Sequence, residues 1–187
     1  GLSVASALVA RGAQVSLYDP HGVPDTHCCS WWAGGMLAPF CEGEAAEEPV
    51  VRLGQKAASW WQEQGVDVVQ KGSLVVALAR DKSELTRFAR RTKQHQIVDE
   101  DGIAALEPDL VGRVRQGLFF ETEAHLSPRD ALKTLTENLI SAGVTISSNA
   151  PVSEPTAQLI DCRGLSAQDA LHDLRGVKGE MLVLHSK

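Results

Sequence analysis

No run of apolar residues in the chain approaches the ~20 needed to cross a bilayer as a helix, and a membrane-spanning helix is therefore not expected. Basic residues are too few and too scattered for a nucleic-acid binder: 18 Lys and Arg stand against 24 Asp and Glu, for a formal charge of -6. A nucleic-acid site calls for a basic face, whereas Arg87, Arg90, Arg91 and Lys93 read as one solvated side of a helix. The four cysteines, Cys28, Cys29, Cys41 and Cys162, contain no CxxC and fit no zinc spacing. They read as free thiols of a reducing, cytoplasmic compartment. Glu42, Glu44, Glu47 and Glu48 form a solvated acidic stretch without the histidine or fixed turn that would suggest a metal. Neither an internal repeat nor a low-complexity segment is present. What remains is ordinary globular composition, 43% hydrophobic and 22% charged, enough for one good core or two small ones.

Periodicity then places the elements. Leu2, Ala5, Leu8 and Val9 recur at helical spacing until Gly12, and residues 14–18 alternate as a strand does before the turn Asp19-Pro20-His21-Gly22. The order helix, loop, strand, acid is the second half of a βαβ unit, whose first strand would lie upstream. Both ends of the chain are expected to sit inside a longer protein, and the 187 residues alone are expected to be inactive and marginally stable. The pattern further predicts a helix over 50–64 with Leu53, Ala57, Trp60 and Trp61 inward. It predicts a strand over 73–79, a helix from Asp81 or Ser83 to about 96, a short helix over 99–106 stopped before Pro108, and a strand over 117–121. A helix opens on Ser127-Pro128 and ends at Gly143. Strands are predicted over 144–148, 159–162 and 179–185. Two βα stretches thus bracket a middle of different texture. The expected class is α/β, a nucleotide-binding domain of residues 1–49 and 126–187, interrupted by an α+β substrate-domain portion of residues 50–125.

The opening carries half of a dinucleotide fingerprint. Gly1 stands where the third glycine permits close helix–strand packing, and Asp19 ends the strand where an acid binds ribose hydroxyls. Taken alone, Gly1 is also readable as an arbitrary terminus and Asp19 as a turn former.

Longer runs are more specific. Gly1-Leu2-Ser3, Arg11-Gly12 and Val15-Ser16-Leu17-Tyr18-Asp19-Pro20 resemble the opening of the D-amino-acid-oxidase-like flavoproteins. Ser30-Trp31-Trp32-Ala33-Gly34-Gly35-Met36-Leu37-Ala38-Pro39 is similar to the S-x-x-A-G-G-M-L-A-P segment of the glycine oxidases of thiamine pathways. Ala124-His125-Leu126-Ser127-Pro128-Arg129 and Arg175-Gly176-Val177-Lys178-Gly179-Glu180 also match the family in order, although Ser127 stands where the family often has an acid or Asn. In residues 160–166, Arg163 replaces a small hydroxyl residue of the family's A-[ST]-G turn.

The resemblance implies a Rossmann-like domain of the glutathione-reductase/D-amino-acid-oxidase type, with FAD as cofactor. It implies that Gly1, Asp19, Ser30, Ala33, Gly34, Gly35, Met36, Leu37, Val152, Arg163 and Gly164 hold FAD, with Val152 laid against the adenine. The small residues of the 30–39 segment would let backbone approach the flavin ring. The implied reaction is oxidative deamination of glycine or a related small amine or amino acid, with dioxygen as oxidant, in the thiazole branch of thiamine biosynthesis. The implied partners are that substrate and O2, and the family allows a homo-oligomer. No catalytic residue is nominated. The family's carboxylate-binding arginine belongs near the C-terminal end of the full protein, so Arg52, Arg113 and Arg115 read as surface charge, and His27 and His125 as structural or surface residues. Trp31 and Trp32 are equally readable as a cover for the flavin and as packing, while Trp60 and Trp61 read as packing. Two alternatives stay open: a nicotinamide-dependent dehydrogenase with the same Rossmann opening, and a non-catalytic partial nucleotide-binding domain.

Overall fold

The opening octet LSVASALV winds into α1 (Leu2–Val9), which turns Ala5 inward with Leu2 and Val9 beside it. In this computed structural model, which describes residues 1–148 and 158–184, Gly12 closes the helix from the left-handed region at φ 80°. Its N–H donates to the carbonyl of Val9, and that of Ala13 to the carbonyl of Leu8. This pairing satisfies the last carbonyls at a position where glycine carries no Cβ penalty. The chain continues through β1 (Ser16–Tyr18), a 3-10 turn (Cys29–Trp32), β2 (Met36–Leu37), α2 (Pro39–Glu42), α3 (Glu48–Gly54) and α4 (Ala57–Glu63). It goes on through β3 (Val68–Val69), β4 (Ser73–Val76), α5 (Lys82–Arg91), β5 (Gln96–Asp99), α6 (Glu100–Leu106), β6 (Gln116–Phe120) and β7 (Ala124–Leu126). α7 (Pro128–Ser141), β8 (Thr145–Ser147) and a 3-10 turn (Gly164–Asp169) follow.

The chain divides into two compact units, Gly1–Gly34 with Pro128–Lys187, and Gly35–Ser127. In the first, β1 and β8 pair in parallel, with Ser16 opposite Thr145, Leu17 opposite Ile146 and Tyr18 opposite Ser147. α7 buries Ala131, Leu135, Thr136 and Leu139. Leu139 and Val144 meet Ala5, with Leu2, Val9, Val15 and Leu17 around them, so both helices cover the parallel pair with apolar side chains. Each fully buried leucine of this kind stabilises by about 1.5–3 kcal/mol.

The second unit holds two antiparallel sheets, in the orders β2-β7-β3 and β4-β6-β5. β6 sits centrally in the latter and buries Leu118 and Phe120 against Leu85 of α5. Phe88 meets Phe120 edge-on at 6.3 Å between ring centroids. Asp99 caps α6 by accepting a hydrogen bond from the N–H of Gly102.

The architecture is α/β, and several details depart from the sequence pattern. The helix predicted over 50–64 is two helices, α3 and α4, broken at Gln55 and Lys56. Gly54 lies so close to α2 that a methyl group there would sit 3.0 Å from the Cβ of Pro39, and Leu53, expected inward, is exposed. The helix expected to reach residue 96 stops at Arg91. Thr92 is extended, Gln94 has φ 61°, and residues 96–99 become β5, whose Ile97 and Val98 pair with Leu118 and Gly117. The strand predicted over 73–79 ends at Val76.

Residues 159–162 and 179–184 form no strand among the described residues; His185, the last residue of the second prediction, lies outside them. A strand needs a neighbour to take its N–H and C=O groups, and the sheet β1-β8 gives these segments no ladder partner among the described residues. Their side chains remain open to solvent: Leu182 is 84% and Leu184 85% exposed. The compact units divide at 34/35 and 127/128, so residues 35–49, grouped by the pattern with the nucleotide-binding stretches, pack with the middle of the chain through β2, α2 and α3.

Candidate cofactor site

α1 begins at Gly1 with no side-chain cap and no acidic residue in its first turn. Its first amides therefore have no side-chain acceptor among the described residues, and together with the helix dipole they suit a phosphate. A methyl group at Gly1 would lie 3.7 Å from the Cβ of Cys162, which brings the segment carrying Arg163 and Gly164 to the start of the helix. Gly164 is left-handed at φ 59°. The Arg163 guanidinium holds two carboxylates: Nε and Nη2 donate to Asp161 at 3.0 and 2.7 Å, and Nη1 and Nη2 donate to Asp169 at 3.0 and 2.9 Å. The hydrogen bonds from Arg163 hold both acids below the usual carboxylate range and hold the guanidinium charged. The side chain is thus committed to a bracket within its own loop.

Asp19 stands directly after β1, anchored by its N–H to the carbonyl of Ser147 at 3.1 Å. Its Oδ1 accepts from the N–H of His21 at 2.9 Å, and His27 Nε2 approaches the same oxygen at 3.7 Å. The two imidazoles lie 4.4 Å apart. The carboxylate is 47% exposed, reachable by a ribose diol. The sequence pattern singles out Asp19 and reads His27 as a structural or surface residue; the Asp19-x-His21 spacing of a side-chain-capped turn signals the bond to His21 but not the approach of His27.

Ser30 lies in the 3-10 turn 29–32, and its carbonyl accepts from the N–H of Ala33 at 3.3 Å. Trp31 and Trp32 both flank Arg129 of α7, with its guanidinium carbon 5.3 and 5.4 Å from their ring centroids. The indole N–H of Trp32 donates to the carbonyl of Thr26. The pair is thereby engaged in cation–π packing. A methyl group at Gly34 would lie 3.7 Å from the Cε of Met181. Gly35 is left-handed at φ 77°, a conformation that strains any residue with a Cβ. After it, Met36 and Leu37 pair with His125 and Ala124 of β7, and the N–H of Leu126 donates to the carbonyl of Gly35 at 2.9 Å. Met36 is 62% exposed. Gly34 and Gly35 belong to different compact units, and Val152 lies outside the described residues.

One strongly placed residue goes beyond what the pattern singles out. Glu123 is fully buried. Its Oε1 accepts from the N–H groups of Phe40 and Cys41 at 2.9 and 2.8 Å, while Oε2 is buried without a hydrogen-bond partner among the described residues. An unsatisfied buried acceptor costs about 1–3 kcal/mol. Burial first, and then the Glu123 carboxylate beside it, push the Cys41 thiol well above its ordinary range. The only signal in the sequence was an acid between the apolar strands 116–120 and 124–126, easily taken for a turn residue. Arg52 pairs with Glu48 on an exposed helix face at 3.5 Å. Among the described residues no group of three His, Cys, Asp or Glu side chains could hold a metal, and no helix is long and apolar enough to cross a membrane.

A family model described as FAD dependent oxidoreductase, DAO, matches residues 1–187. The chain belongs to this FAD dependent oxidoreductase family. It is 46% identical over 190 residues to the "Putative thiamine biosynthesis oxidoreductase ThiO" of Rhizobium etli, covering 100% of this chain and 58% of that protein. Among solved structures, glycine oxidase from Geobacillus kaustophilus superposes with a TM-score of 0.63 at 21% identity, covering 79% of this chain and 43% of that one. Iminodiacetate oxidase from Chelativorans sp. BNC1 gives 0.63 at 19% identity, over 82% and 46%. These two likenesses establish the fold. The chain spans 58% of the length of its Rhizobium relative and under half of each of these structures.

The described residues fit the family's cofactor. Among the described residues α1 opens without a side-chain cap, and a half-exposed carboxylate stands at the end of β1. Membership in a flavin-dependent family decides against the nicotinamide-dependent dehydrogenase.

Proposed function

We propose that the protein to which these residues belong oxidises glycine or a closely related small amino acid, and that this chain supplies most of the surface for the ADP half of FAD. Asp19, at the end of β1, takes the adenosine ribose hydroxyls. The uncapped start of α1 takes the pyrophosphate, with the 162–164 segment beside it. Residues 33–37 supply small side chains and one left-handed glycine where backbone must pass close to a flat ring. The chemistry a bound flavin supplies is acceptance of a hydride from the substrate's α-carbon. The amine loses two electrons and two protons to become an imine, and water converts the imine to an oxo acid and ammonia. Dioxygen takes up the two electrons and two protons as hydrogen peroxide.

The observation that carries this reading is the identity, over the whole chain, with a relative named for thiamine biosynthesis; it supports a role in making the thiazole precursor. A cytoplasmic location, and dioxygen and a small amino acid as partners, belong to the same proposal, as does assembly into a homo-oligomer. Substrate alignment against the flavin supplies much of the rate gain in such a site, and no side chain of this chain is assigned as general base.

The test is anaerobic mixing of the flavin-loaded protein, expressed from its full reading frame, with glycine, sarcosine and D-alanine in turn. Bleaching of the visible flavin band by at least one of them, with stoichiometric peroxide on readmission of air, is the expected result. A flavin band that none of them bleaches would refute the substrate class.

A further inference from the structure

Glu123 is chemically out of place for a residue whose only task is stability. A carboxylate with no exposed surface carries a large desolvation penalty, and an apolar side chain of similar volume would commonly serve a core as well or better. What the carboxylate provides is position. Glu123 precedes β7, whose Ala124 and His125 pair with Leu37 and Met36, while Leu126 N–H holds the carbonyl of Gly35. From the same stretch, Oε1 reaches past Ala38, itself buried, to accept the N–H groups of Phe40 and Cys41 at 2.9 and 2.8 Å. Residues 35–41 are therefore tied to residues 123–126 at both ends and in the middle. The tie at the α2 end is an anionic acceptor opposite paired amides, the strongest class of hydrogen bond available to a backbone. The segment so held is the one whose Met36 stands free of the core.

We propose that Glu123 is a positioning residue for the flavin-facing residues 35–37: by holding the 35–41 backbone it sets their approach to the ring without touching the cofactor itself. This inference rests on the assignment of that segment to the flavin under the proposed function. The desolvation cost of Glu123 is offset by the fixed geometry of the loop, and loss of the carboxylate frees the start of α2 and with it the register of Met36 and Leu37.

The test compares E123A, E123Q and, as a control, E121Q at the exposed neighbour, all in the protein expressed from its full reading frame. Three quantities are read: amide hydrogen exchange at Phe40 and Cys41, FAD affinity by fluorescence titration, and the visible circular dichroism of the bound flavin. E123A is expected to exchange those amides at least about tenfold faster, to bind FAD about tenfold more weakly, one decade of affinity, and to show an altered flavin dichroism. E123Q, which keeps one carbonyl acceptor, falls between E123A and wild type, and E121Q matches wild type. Should E123A fail to fold, E123Q reads the same three quantities. A variant that is less stable yet, when folded, binds FAD with wild-type affinity and dichroism would reduce Glu123 to a structural residue and overturn the inference. So would unchanged exchange at Phe40 and Cys41. Wild-type protein that takes up no flavin would overturn the proposed function itself, a result distinguishable from a wild type that binds flavin and variants that bind it equally well.

Discussion

Cys29 and Cys162 are exposed, whereas Cys41 is half-buried beside Glu123. Only the thiolate reacts, so a thiol whose ionisation is pushed far up the pH scale is almost entirely in its inert, protonated form near neutrality. A thiol reagent at mildly alkaline pH should modify Cys29 and Cys162 first and leave Cys41 intact until the protein unfolds, as mass spectrometry of the labelled peptides would show. Labelling of Cys41 at the rate of Cys162 would contradict its burial next to a carboxylate. Cys41 stays protonated in the fold and ionises more readily when unfolded. Its contribution to stability is therefore complete below the ordinary thiol value of 9.0 and declines as pH rises beyond it. C41S should flatten that alkaline slope in urea melts. Residues of the site were unevenly legible. Asp19 is picked out because an acid that ends a strand leaves a mark in spacing, and Gly35 because the 30–39 run resembles a family segment; the role of both at a cofactor is a proposal. Glu123 does not, because burial of an acid depends on which backbone amides the fold brings to it. Arg163 stands in the expected segment, but its guanidinium is committed to Asp161 and Asp169.

Among the elements, α7 is the clearest case of pattern dictating structure. Pro128 starts it, the buried Ala131, Leu135 and Leu139 repeat at helical spacing, and Gly143 ends it at φ 84°. Gly143 N–H reaches Ile140 and Val144 N–H reaches Leu139, as at the end of α1. L135A should lower the unfolding free energy by about 2–5 kcal/mol, the range for emptying a leucine site in a core. G143A should cost about 1 kcal/mol, since alanine has room there but not the backbone conformation. Urea denaturation of both variants checks the pair; an L135A effect no larger than that of G143A would argue against Leu135 as a core residue. α1, β1 and β8 were legible for the same reason. The α3–α4 break and the early end of α5 were not, because a close approach at Gly54 and a strand register with β6 override local propensity. Residues 159–162 and 179–184 are apolar enough to read as strands, yet a strand is defined by its neighbour, which no window of sequence contains.

Over the whole chain, the α/β class was readable because stretches of helical and of alternating periodicity follow one another along the sequence. The dividing points were harder to read. The small-residue segment looks continuous, whereas the compact units separate between Gly34 and Gly35, where β2 joins β7. The proposed function gives the start of α1, Asp19 and residues 162–164 to the ADP half of a flavin nucleotide. FMN carries the same ring without that half, which makes the comparison of FAD with FMN the most direct test. Equilibrium titration of the apoprotein, expressed from its full reading frame, is predicted to show tight FAD binding, FMN binding weaker by at least about two decades, or ~2.7 kcal/mol, and a loss of FAD affinity in D19A. FMN bound as tightly as FAD, or D19A binding FAD as well as wild type, would refute the assignment of these residues to the ADP half.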